Sequence, residues 1–409
     1  MKRIYLDYAA TTPVDPRVVK AMLPYFSENF GNTMSLHSFG QDAKLVLEQS
    51  RETVANLIGA EPNEIIFTSS ATESNNQALK GIALSERSES KGKDEKNHII
   101  ISSIEHPCII ESAKWLEKCG CLPDGRGFKI TKLPVDKYGL VSLKDLESAI
   151  TDKTILVSII HASNEIGTIE PIAEIGEMIK KINLSRLSNT QHPTPKIYFH
   201  TDASQSFGKI AIDVKKMNID LLTASSHKIY GPKGAGLLYV RNGLKIEPLL
   251  HGGGQENGLR SSTVNIAAIV GFAKAVEICQ KEMKKENKKL EKLRDKLIKG
   301  VLKIKGSHLN GHPKNRLANI INIWFSFIEG ESLVIQLDLH GIACSTGSAC
   351  SSVKLEPSPI LLAIGLKPQE AHGSLRISLG RQTTEKDINY LLKILPKIVK
   401  KIREISPFK

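Results

Sequence analysis

The 409-residue sequence contains no apolar run approaching the ~20 residues that a membrane-spanning helix requires. Its basic start, MKRIYLDYAATTP, is broken by Asp7 where a secretion signal would need an unbroken apolar segment. No membrane partner is expected, and the expected location is cytoplasmic, where thiols stay reduced. Cysteine is scarce. The six residues Cys108, Cys119, Cys121, Cys279, Cys344 and Cys350 include no CxxC pair and no companion histidines at zinc-ligand spacing, so no metal site is indicated. The CGC of Cys119 to Cys121 reads as incidental. Aromatic residues make up only 5% and do not interleave with basic runs, so direct nucleic-acid binding is not indicated despite a net charge of +13. Also missing are a GxGxxG opening a helix after the first strand and a GxxxxGK[ST] loop. HGGGQ, beginning at His251, fits neither, which speaks against a nucleotide site of the usual kinds.

What is present describes an ordinary globular chain, 41% hydrophobic and 24% charged, with a length that suggests two or three domains at roughly 150 residues each. Much of the positive excess lies in KEMKKENKKLEKLRDKLIKG (281–300), where Leu and Ile recur at helical spacing and lysines cover a solvated face. From about residue 50 to 240, apolar runs alternate with helical patterns: EIIFT, HIIIS, TILVSII, KIYFH, DLLTAS and AGLLYV. That rhythm predicts an α/β fold with a mostly parallel central sheet. Two hydrophilic stretches, 86–97 and 185–196, read as surface insertions. Further strands, ANIINIWFSF and GSLRISLG, and a closing amphipathic helix predict a smaller α+β domain. The expected division is 16–264 for the large domain and 1–15 plus 265–409 for the small one.

In open α/β sheets ligands bind outside the carboxyl ends of the strands, and here those ends carry chemistry. EIIFT leads into SSATES, whose backbone N–H groups and helix N-terminus can hold a phosphate. The other runs end near His106, Asn164, Asp202 with Gln205, and Ser225, His227 and Lys228. A phosphate cradle, an imidazole able to stack, amide donors, a carboxylate and a lysine together suit pyridoxal 5'-phosphate. That cofactor is carried as a Schiff base on lysine, wants an acidic partner at its ring nitrogen and needs its phosphate anchored.

The stretch GIACSTGSACSSVKLEPS (341–358) sets two cysteines among small polar residues that cannot build a core, and so predicts a mobile loop, about 343–356, with an exposed thiol at Cys350. Cys344 follows the alternating apolar residues of ESLVIQLDLHGIAC and is expected at a strand end, buried and inert.

Taken together, the blocks YLDYAATTPVDPRV, FTSSATESNNQALKG, ILVSIIHASNEIGTI, HTDASQSFGKI, SSHKIYGPKGAGLLYVR, HGGGQENGLRSST, GSACSS and SLRISLGR resemble, in order and over essentially the whole chain, the cysteine desulfurases of the nitrogen-fixation and iron–sulfur-assembly type. These are fold-type-I, class-V-aminotransferase-like pyridoxal-phosphate enzymes. The resemblance implies that Lys228 bears the cofactor, Asp202 faces its ring nitrogen, and His106 stacks on the ring and relays protons. It further implies that Asn164 and Gln205 bond the phenolic oxygen, and that Ala71, Thr72, Ser225 and His227 hold the phosphate. Thr263 would reach that phosphate from a neighbouring subunit, which implies a homodimer. Asn32 and Arg376 would clamp the carboxylate of L-cysteine, and Cys350 would take its sulfur and pass it to an iron–sulfur scaffold or another acceptor protein. A selenocysteine lyase and a fold-type-I aminotransferase share the cofactor site and are the alternatives. NTMS, SSHK and RSST depart from the family's usual wording at three of these blocks without removing a functional side chain.

Overall fold

The computed structural model describes residues 3–89, 96–120, 125, 127–188, 194–347 and 356–406. Cys121 and Cys350 lie outside them, as does most of the predicted 343–356 loop. In chain order the strands are β1 (Ile4–Tyr5), β2 (Ile65–Thr68), β3 (His98–Ser102), β4 (Lys129–Leu133), β5 (Thr154–Ser158) and β6 (Tyr198–Asp202). They continue with β7 (Leu221–Ser225), β8 (Gly236–Val240), β9 (Ser307–Asn310), β10 (Ile320–Phe325), β11 (Ile342–Ala343) and β12 (Ser374–Ser378). The first helices are α1 (Pro16–Met22), α2 (Pro24–Ser27), α3 (Ser38–Ile58), α4 (Ala71–Glu89), α5 (Pro107–Lys118) and α6 (Leu143–Ala149). The later ones are α7 (Ile172–Ser188), α8 (Ile266–Val301), α9 (Gly330–Leu339), α10 (Pro359–Ala363), α11 (Pro368–His372) and α12 (Glu385–Ile405).

Seven strands form one sheet in the order β2-β8-β7-β6-β5-β3-β4. Every pairing from β7 to β4 is parallel, and β8 runs antiparallel to both of its neighbours. The strands β2, β3, β5, β7 and β8 are buried along their whole length, which explains their continuous apolar runs: helices cover both faces. On one face Phe67, Ile100, Val157, Phe199 and Leu222 meet Leu47 and Ile58 of α3, Ile175 of α7 and Phe272 of α8. On the other, Ile99, Ile101, Leu156 and Leu238 meet Leu79 and Ile82 of α4 and Ile109 and Leu116 of α5.

Two small sheets follow, β12-β10-β9 and β1-β11. Their core gathers Leu6, Ile321, Phe325, Leu333, Leu375 and Leu395. The 36-residue helix α8 serves both halves of the molecule: Phe272 and Val276 enter the large-sheet core, whereas Leu290, Leu293 and Leu297 enter this one.

Three local expectations change. ESLVIQLDLH is not a strand but helix α9, whose Leu333 and Leu337 are buried one helical turn apart; only Ile342 and Ala343 pair as strand before Cys344. The stretch 86–97 begins as the last turn of α4, where Glu86 accepts from Lys96 at 2.8 Å and from the Tyr198 hydroxyl at 3.1 Å. The stretch 185–196 begins inside α7, and Arg186 there donates to the Thr151 carbonyl at 2.6 Å. Among the described residues no helix is long and apolar enough to cross a membrane.

Candidate active site

Because β2 and β7 flank the antiparallel β8, β2 points the same way as the parallel set, and the carboxyl ends of β2, β3, β5, β6 and β7 all open at one rim of the sheet. A cavity of about 320 Å³ lies there, lined by Ala71, Thr72, His106, Asn164, Asp202, Gln205, Ser225, His227, Lys228 and Arg376 among others. Ten of the predicted residues, drawn from positions between 71 and 376, are thus brought to one place. Asn32 and Thr263 are not: both are exposed, and neither lines the cavity of its own chain.

Lys228 ends a single 3-10 turn that directly follows β7. Its amine donates to the carbonyls of Ala9 and Ala10 at 2.6 and 2.7 Å. Thr12 pins that N-terminal segment to the turn, donating from Oγ1 to the His227 carbonyl at 2.9 Å and accepting from the Tyr230 amide at 2.9 Å. Asp202, buried at the end of β6, accepts from the Ser204 amide and hydroxyl at 2.9 and 2.5 Å and from Asn75 Nδ2 at 2.7 Å. Three donors therefore fix the direction of a buried carboxylate.

His106 caps α5, its Nδ1 accepting from the Cys108 amide at 3.2 Å. An amide can only donate, so Nδ1 is the acceptor, and neutral His106 carries its proton on Nε2. The Cys108 thiol, 3.0 Å from Nδ1, then donates to it as well. Burial, helped by the charge of Lys228 and opposed by Asp202, holds the imidazole below its ordinary pKa. Burial pushes the Cys108 thiol up to about 12, so it stays protonated. His227 is held down to about 4 by burial and by Lys228, Lys233 and Lys209.

On the far wall Arg376 donates to Asp7 Oδ1 at 2.9 Å and to the Asn164 carbonyl at 3.1 Å. Its Nε, enclosed, has no partner among the described residues, and neither does the enclosed Oδ1 of Asn164. Next to Asn164 is Glu165, which accepts from the Ser358 hydroxyl at 2.5 Å and lies 3.2 Å from where a Cβ on Gly347 would stand. This buried carboxyl thus ties Ser358 to the cavity wall and leaves little room for a side chain at Gly347. Cys344 is buried, and burial pushes its thiol up to about 12.

Ala9, Ala10, Asn75, Cys108 and Glu165 also line the cavity. Sequence reasoning missed them. For Ala9 and Ala10 the working groups are carbonyls, which leave no signal in a side-chain pattern; Asn75 stood in the quoted SSATESNNQ and could have been found as the residue one helical turn inside the start of α4.

An aminotransferase class-V family model matches residues 4–391. Fold, site and family model together show a member of the class-V aminotransferase family. "Cysteine desulfurase IscS" of Methanosarcina thermophila is 52% identical over 406 residues, covering 99% of this chain and 94% of that protein. Among solved structures, "NIFS-LIKE PROTEIN" matches with a TM-score of 0.86 at 39% identity, covering 97% of this chain and 99% of the other. A second, "SspA in complex with cysteine", matches with a TM-score of 0.77 at 37% identity over 92% of this chain and 98% of the other. The chain belongs to the class-V aminotransferase family and, within it, to the cysteine desulfurases, which depend on pyridoxal phosphate.

The residues present fit that cofactor. The start of α4 offers N–H groups that have no intrahelical partner, at the positive end of the helix. The Asn164 amide lines the cavity with an Nδ2 able to donate to a phenolic oxygen, the oriented Asp202 carboxylate can face a ring nitrogen, and Lys228 has an amine within the same cavity.

Proposed function

We propose that the chain takes sulfur from L-cysteine, releases L-alanine, and holds the sulfur as a persulfide on Cys350 before passing it to an iron–sulfur scaffold or another acceptor protein. The observation that carries this reading is the meeting of Lys228, Asp202 and His106 around one cavity whose far wall presents Arg376, in a chain of the cysteine desulfurase family. One similar structure is described as a complex with cysteine.

The bound cofactor supplies an electron sink for the substrate's Cα–H and Cβ–S bonds. Ala71, Thr72, Ser225 and His227 hold its phosphate, Asp202 its ring nitrogen, and Asn164 and Gln205 its phenolic oxygen. Arg376 receives the substrate carboxylate at its unpartnered Nε, while Asp7 keeps the guanidinium plane fixed. The Lys228 amine moves the Cα proton. His106, with its proton on Nε2, serves as a donor toward the cavity. The Cys350 thiolate attacks the substrate sulfur: an S–S bond forms, the substrate C–S bond breaks with its electron pair left on carbon, and protonation of that carbon yields alanine.

A homodimer completes the site. Thr263 and Asn32, exposed in one chain, reach the partner's cavity or its rim. Phe26, Phe30, Met34, Leu36 and Phe39, each 54–93% exposed within one short segment, supply the apolar surface that such a contact buries. The test of the reading is direct: borohydride reduction of the yellow protein yields a cofactor adduct on Lys228, and cysteine yields alanine. An adduct on Lys233 or Lys209, or pyruvate in place of alanine, contradicts it.

A further inference from the structure

Lys228 lines a second, much smaller cavity of about 20 Å³, together with Tyr8, Lys209, Cys279, Glu286 and Asn287. Lys209 has no part in the chemistry above, yet its position is closely specified. Gly208 before it has φ 67°, and a Cβ there would stand 3.2 Å from Cys279 Sγ, so the chain turns tightly against α8. Asn287 Nδ2, also on α8, donates to the Lys209 carbonyl.

From that turn, Lys209 Nζ donates to Gln205 Oε1 at 3.3 Å. Gln205 Nε2 donates in turn to the Ala9 carbonyl at 3.0 Å, the same oxygen that accepts from Lys228 Nζ at 2.6 Å. A continuous path therefore joins the two amines through a side chain on the wall of the large cavity. An ammonium has only donors, so neither can neutralise the other, and enclosure strengthens their repulsion. Burial and then the charge of Lys228 hold Lys209 down to about 7, with Cys279 and Glu286 pulling the other way. Glu286 is already engaged by the Tyr230 hydroxyl at 3.1 Å and by Arg381 at 3.0 Å, and the Cys279 thiol is pushed up to about 12 by burial. On the other side of Lys228 stand Asp202, His106 and His227.

We propose that Lys209 is a positioning residue for Lys228: the Lys209–Gln205–Ala9 path holds a second cationic side chain beside the Lys228 nitrogen, and the repulsion between them keeps that nitrogen available to accept a proton. Through the same contact Lys209 orients the Gln205 amide. The inference rests on the reading of Lys228 as the cofactor-bearing lysine.

The experiment follows the pH-dependent visible band of the cofactor-loaded enzyme in wild type, Lys209→Met and Lys209→Arg. Removing the second charge raises the proton affinity of the Lys228 nitrogen, so the midpoint in Lys209→Met moves up by about one pH unit, roughly tenfold in affinity. Lys209→Arg keeps the charge and stays near wild type, which a merely structural role would not produce. An unmoved midpoint in Lys209→Met, or an equal rise in Lys209→Arg, overturns the pairing. Lys209→Gln makes the same comparison should the methionine variant fold poorly. Borohydride mapping on each variant separates the two readings: an adduct away from Lys228 contradicts the cofactor assignment, whereas an adduct on Lys228 with an unmoved midpoint contradicts the pairing alone.

Discussion

Two buried glutamates at or behind the cavity wall, Glu165 and Glu105, are pushed toward the neutral acid by burial. Glu105 accepts from the Ser102 hydroxyl and the Ile160 amide, both at 2.7 Å, and ties the end of β3 to the end of β5; burial pushes it up to about 8. Glu165 is pushed up to about 7 by burial, against the pull of Ser358 and Arg376. A folded-state pKa above the unfolded value means that the native protein binds more protons, so the contribution of Glu165 is fully present below pH ~4.5 and is lost as pH rises to about 7. Glu165→Gln keeps the Ser358 contact without the titration. Its stability relative to wild type is therefore expected to climb between pH 4.5 and 7 and then level off, by up to about 3 kcal/mol. Thermal midpoints of the two proteins across that range check this. A difference that does not change with pH would show that Glu165 does not titrate in this window.

Among the elements, those buried on both sheet faces were readable from the sequence, because burial on both sides favours apolar residues at successive positions and leaves short apolar runs within HIIIS and DLLTAS. β4 was not. It lies at the sheet edge, its KITKL exposes Lys129 and Lys132, and only Leu133 is buried, so no apolar run marks it. α9 misled in the opposite sense. In ESLVIQLDL the apolar positions satisfy both a period of 2 and a period near 3.6, and only packing of Leu333 and Leu337 into the small-sheet core decides between them. The site was readable for a different reason: strand ends are fixed by the runs before them, so polar residues just beyond a run fall at the same rim. Contacts between distant positions carry no such mark. Ser358 meets Glu165 across 193 positions and Lys228 meets Ala9 across 219, and neither partner hints at the other in sequence.

At the scale of the whole molecule, α8 and the N-terminal segment join the two sheet systems, and the cavity lies where Ala9, Ala10 and Arg376 from one side meet the strand ends of the other. The proposed homodimer extends this sharing to a second chain. Mixing inactive Lys228→Ala with inactive Thr263→Ala protein is expected to restore activity, since one site of each hybrid keeps both residues; random mixing gives about a quarter of wild-type sites. Active monomers in solution, or no recovery on subunit exchange, would rule out the shared site.

The central claim is that sulfur leaves cysteine for one particular thiol. Cys108, Cys279 and Cys344 are each pushed up to about 12 by burial, which leaves them protonated and poorly nucleophilic. Cofactor-loaded wild type, Cys344→Ala and Cys350→Ala are each given one equivalent of cysteine, and the added sulfur is located by mass spectrometry of the peptides while alanine is measured. The account predicts one extra sulfur on Cys350 in wild type and Cys344→Ala. In Cys350→Ala it predicts neither extra sulfur nor alanine, although that variant still binds the cofactor and still changes its absorbance with cysteine. Extra sulfur on Cys344 or Cys108, or undiminished alanine from Cys350→Ala, would contradict it.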